Sequence, residues 1–100
     1  ASTLGNNTNL PSALSLLLGE SHSLYIQGEH QAALQKLNEL VRQAPNLPDS
    51  YYTMALIYEE SGDLDKALQL CLIASHLTPK DASLWRHVVL VAEQLDNSAE

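Results

Sequence analysis

The chain matches itself at an offset of 34 residues: Gly28 falls on Gly62, Ala33 on Ala67 and Pro45 on Pro79. Between these anchors Leu24 falls on Tyr58, Leu34 on Leu68, Leu37 on Cys71 and Leu40 on Ala74. A fixed period of this kind restricts the fold to stacked copies of one small unit, because a single unit cannot bury its apolar face alone. Within each copy the apolar residues recur at spacings of three and four, the period of an amphipathic helix, and a glycine divides the copy in two.

Read from the N-terminus, residues 1 to about 10 are small and polar without an apolar period and are expected to be a disordered tail. Pro11 and Ser12 open a first helix whose stripe is Leu14, Leu17, Leu18, Ser21, Leu24 and Tyr25. Gly28 ends it, and Glu29 opens a second helix carrying Ala33, Leu34, Leu37, Leu40 and Val41. Pro45 and Pro48 interrupt the chain, and Asp49 is expected to cap or favour the start of a third helix running to about Ser61. Gly62 closes that helix and Asp63 caps a fourth, with Leu64, Ala67, Leu68, Cys71, Leu72 and Ser75 as its stripe. After Thr78-Pro79-Lys80-Asp81, a fifth helix carries Leu84, Trp85, Val88, Val89, Val91 and Ala92 to about Leu95, and Asp96-Asn97 is expected to form the following turn.

The second unit, with Tyr51, Met54, Ala55 and Tyr58 before Gly62, then Ala67, Cys71, Ala74 and Pro79, resembles the tetratricopeptide repeat. The resemblance implies an all-α solenoid of antiparallel helix pairs, about five helices in two full repeats plus the first helix of a third. Repeat 1 is expected over about 12–45, repeat 2 over about 48–79 and a capping helix over about 81–95, within a domain at 11–97. Packing between units falls to Gly28, Ala33, Pro45, Ala55, Tyr58, Gly62, Ala67, Pro79 and Trp85. Small side chains at Ala33, Ala55, Ala67 and Ser21 let neighbouring helices approach closely.

Composition narrows the chemistry. Twelve acidic against 5 basic residues give a net charge of −7, which repels phosphate backbones, so direct nucleic-acid binding is not expected. A lone Cys71 forms no internal disulfide and, with no Cys/His cluster, leaves no metal site to expect. The apolar run from Ala13 to Leu18 is too short to span a bilayer and lacks a basic flank, so neither membrane anchor nor signal peptide is expected. His22, His30, His76 and His87 stand in no ligand spacing, no GxSxG elbow occurs, and the isolated glycines cradle no phosphate. The sequence therefore predicts no enzyme and no cofactor, and reads as a binding scaffold.

By the tetratricopeptide resemblance, the first helices of successive units line one groove. It should present Leu18, His22, Tyr25 and Ile26, then Tyr52, Leu56 and Glu59, then Arg86, Leu90 and Glu93. Leu18, Tyr52 and Leu56 are expected as an exposed apolar line suited to a docked partner segment. The adjacent Glu59 and Glu60 point in different directions on their helix and are expected at its solvated end. Exposed repeat ends leave self-association open.

One string goes further. Arg42-Gln43-Ala44-Pro45, Met54-Ala55-Leu56-Ile57-Tyr58-Glu59, Gly62-Asp63, and Leu72-Ile73-Ala74-Ser75-His76-Leu77-Thr78-Pro79-Lys80-Asp81 followed by Trp85 resemble the first repeats of the tetratricopeptide subunits of the RNA polymerase III factor TFIIIC. Its most specific part is His-Leu-x-Pro-x-Asp with Trp four residues on. The resemblance spans about residues 18–97 and implies a nuclear protein, part of a longer array, with TFIIIB subunits or other TFIIIC subunits as partners. Two other readings stay open at this stage: a tetratricopeptide adaptor of another assembly, and a regulatory repeat domain cut from an enzyme.

Overall fold

A computed structural model of the chain describes residues 10–98; the expected tail, Leu10 apart, lies outside them. The described residues form five helices and no strand: α1 (Ser12–Ile26), α2 (His30–Gln43), α3 (Pro48–Glu60), α4 (Leu64–Leu77) and α5 (Ala82–Ser98). Each helix packs on the next in sequence, and α1 also touches α3. This is the order of stacked helix pairs.

The 34-residue offset seen in the sequence recurs in the backbone hydrogen bonds. Gly28 and Gly62 adopt the left-handed conformation, with φ of 83° and 89°. At the first, Gly28 N–H donates to Tyr25 and Glu29 N–H to Leu24; at the second, Gly62 donates to Glu59 and Asp63 to Tyr58. Both are Schellman closures, in which glycine turns the chain at little conformational cost and satisfies helix-end carbonyls.

The units also interlock by side chains at the same offset. Tyr51 donates its hydroxyl to the Pro45 carbonyl at 2.6 Å, and Trp85 donates its indole N–H to the Pro79 carbonyl at 2.9 Å. Each aromatic opens a first helix and binds the connector just before it, fixing the angle between units.

Two apolar clusters fill the interior. One gathers Ala33, Leu37, Leu40, Met54 and Ile57, and the other Tyr51, Ala74 and Leu84, with Leu70 and Val41 packed against both. Ala33, Ala55, Ala67 and Ser21 are fully buried, as the close helix approach requires. On α5, Leu84 and Val91 turn inward while Val89 and Leu90 stay about half exposed.

Two local expectations are corrected. Helix α3 begins at Pro48 rather than Asp49, because proline's fixed φ suits the first helical position and its missing N–H has no partner to lose there. Asp49 sits in the first turn, and the α3 N-cap, Leu47, makes no side-chain bond. Asp96-Asn97 is helix, not turn: α5 runs through it to Ser98, and among the described residues no non-glycine residue takes a positive φ. A left-handed asparagine loses roughly 1–2 kcal/mol that continued helix does not. Asp63 caps α4 as expected, accepting from Lys66 N–H at 3.2 Å.

Candidate interaction groove

Helices α1, α3 and α5 open successive units, and side-chain bonds join them along one edge. Glu59 and Glu60, a residue apart at the end of α3, diverge by about 100° around the helix axis. Glu60 reaches back to the first unit: Tyr25 donates its hydroxyl to one carboxylate oxygen at 2.6 Å, and His30 Nε2 lies 3.3 Å from the other. Glu59 reaches forward, accepting from His87 Nε2 of α5 at 2.8 Å, and the His87 ring meets Tyr52 edge-on at 5.6 Å between centroids. Glu60 is exposed, as expected of a solvated helix end, while Glu59 is half-buried, and through these bonds the pair also ties α3 to both neighbours.

These bonds set the electrostatics. The hydrogen bond to Glu60, helped by partial burial, pushes the Tyr25 phenol up to about 12. Burial, with nearby negative groups, also raises Tyr52. Burial and the Glu59 charge push the Cys71 thiol up to about 11, so it is held as the unreactive protonated form.

The predicted groove residues fall into three groups. Leu18 and Tyr25 are half-buried and pack against the first apolar cluster, and Tyr52 packs against the second. Leu56 is half-buried, so the expected exposed line of Leu18, Tyr52 and Leu56 is corrected: all three are partly covered, Leu18 and Tyr52 by their packing on the two clusters. His22 and Glu59 are engaged in polar bonds, His22 with the Thr53 hydroxyl at 3.1 Å. Ile26, Arg86, Leu90 and Glu93 are open to solvent.

Between α1, the start of α3 and the α4–α5 connector lies an open pocket. His22, Asp49, Tyr52 and Thr53 form one side, and Thr78, Asp81, Ser83 and Leu84 the other. The sequence singled out His22 and Tyr52 but not the pocket, since nothing in a helical period shows that a connector folds beside a distant helix turn. Asp81 Oδ1 accepts from Ser83 N–H at 3.0 Å, Ser83 Oγ at 2.6 Å and Leu84 N–H at 3.4 Å, bonds that hold its carboxyl below the usual range. Among the described residues no three His, Cys, Asp or Glu side chains gather as for a metal, and no helix is long and apolar enough to cross a membrane.

Stacked helix pairs with glycine turns, interlocked connectors and a shared face on the leading helices define an α-helical repeat protein. The chain belongs to the tetratricopeptide repeat family, whose model matches residues 24–89. It is 39% identical to General transcription factor 3C polypeptide 3 of Homo sapiens over 90% of this chain and 10% of that protein. It is 25% identical to the Transcription factor tau 131 kDa subunit of Saccharomyces cerevisiae over 81% of this chain and 8% of that protein. The chain thus spans a tenth or less of these curated relatives. Among solved structures, a mutant of MamA superposes with a TM-score of 0.73 at 16% identity, covering 88% of this chain and 64% of that one, a likeness of fold.

Proposed function

We propose that the chain is a non-enzymatic interaction module, a stretch of a nuclear TFIIIC-type tetratricopeptide subunit that holds partner proteins and helps recruit TFIIIB for transcription by RNA polymerase III. The observation that supports it most is the similarity to a general transcription factor subunit across nine-tenths of the chain. The geometry is compatible: the half-buried Tyr52 and Leu56 on α3 and the half-exposed Leu90 on α5 offer a partner segment apolar anchors on the leading helices. The net charge of −7 suits contact with proteins inside a DNA-bound complex rather than with the DNA itself.

Affinity purification of the tagged chain from nuclear extract, with TFIIIB and TFIIIC subunits quantified by mass spectrometry, tests this reading. Enrichment of those subunits over an unrelated tetratricopeptide protein is expected. Recovery no greater than with that control would discard it.

A further inference from the structure

The pocket beside α3 has a one-sided charge. Asp49 and Asp81 stand on its two sides and no lysine or arginine lines it; Arg86, outside the lining, acts on the Asp81 carboxyl from one side. Asp81 caps α5 through Oδ1, and the bonds that do so leave the other carboxylate oxygen out of the cap. Asp49 is exposed in the first turn of α3. Tyr52, half-buried, lines the pocket on the Asp49 side, near enough to Asp81 to feel its charge, and its ring meets His87 edge-on. The Thr53 hydroxyl is paired with His22, so the deep polar group is satisfied and the unspent capacity belongs to the carboxylates.

Two carboxylates and an aromatic ring lining one pocket match one kind of side chain. An ammonium or guanidinium takes charge-assisted hydrogen bonds from carboxylates, is attracted to a ring face, and lays its methylene stem along apolar surface. Phosphate-bearing ligands and anionic membrane surfaces are repelled by the same charges. We propose that this pocket receives a lysine or arginine side chain from a segment of a partner protein, whose apolar residues continue onto Leu56, one helical turn beyond Tyr52 on α3. The inference rests on the scaffold reading and narrows its partner to a segment that is both basic and apolar.

The test uses two short blocked peptides, one alternating lysine and leucine and one alternating glutamate and leucine, titrated into the intact chain with binding read by calorimetry and by amide chemical shifts. The lysine peptide should bind and shift Asp49, Tyr52 and Ser83, and the glutamate peptide should not. The double variant Asp49→Asn with Asp81→Asn keeps a capping side chain at position 81 and removes both charges. It should weaken the lysine peptide about tenfold or more. A control that removes the same charge elsewhere, Glu29→Gln with Asp65→Asn, should change affinity little. Failure of the lysine peptide to bind, equal binding of the glutamate peptide, or equal weakening in both double variants would overturn the pocket assignment. If the pocket variant still recovers the transcription-factor subunits that the unaltered chain recovers, the pocket falls and the scaffold stands.

Discussion

Glu59 and Glu60 show how much a single residue's azimuth decides. Both are carboxylates at the end of α3, yet one ties α3 to His87 and the other to Tyr25 and His30. The Tyr25 bond has a direct pH signature. Its folded value of about 12 lies above the ordinary 10.0, so folding favours the protonated phenol. The stabilisation is therefore complete below the unfolded value of 10.0 and is lost as the pH rises from there to about 12. Tyr25→Phe should lower the melting temperature at neutral pH and flatten the decline across that alkaline window. Thermal melts followed by circular dichroism check it, and parallel declines in the two proteins would show that the Glu60 bond contributes nothing.

At the level of elements, the two glycine turns and one helix glycine should respond to alanine with opposite signs. Gly62 holds φ at 89° after α3, where alanine costs roughly 1–2 kcal/mol although nothing lies within 4 Å of its added Cβ. Gly19 is helical, exposed and equally uncrowded, and alanine there should stabilise by roughly 0.5–1 kcal/mol. Urea melts of Gly62→Ala and Gly19→Ala decide this, and a shift of the same sign in both would remove the conformational argument. These turns were legible in the sequence because glycine, proline and the three-and-four spacing act locally. The same local logic misplaced the start of α3, where Pro48 competes with Asp49 for the first turn, and the end of α5, where asparagine tolerates a turn without requiring one. The site was harder to read. Helical register put Tyr52 and Leu56 on the right helix, but their partial cover and the His87–Glu59 bond depend on how far one unit rotates on the next, which no period encodes. The offset between Pro45 and Tyr51, repeated between Pro79 and Trp85, was a usable signal for the interlock of connectors.

For the molecule as a whole, stacking makes stability a sum over neighbours, so the array should open from one end without unfolding throughout. Cys71 is placed to report this. It is fully buried on α4, its Sγ lies 3.9 Å from the Leu84 carbonyl of α5, and its thiol is held protonated by a value raised to about 11. A thiol reagent at neutral pH therefore reacts only after α5 lifts away. Leu84→Ala removes most of a buried side chain from the α4–α5 contact and should cost about 2–5 kcal/mol, which raises the open population and the labelling rate more than tenfold. Leu14→Ala loosens α1 against the first cluster, at the far end of the array, and should leave Cys71 labelling nearly unchanged even where total stability falls. Labelling rates measured by mass spectrometry separate the two possibilities. Equal acceleration by both variants would mean that the five helices open as one cooperative body, and that the apparent end helix is bound as tightly as the rest.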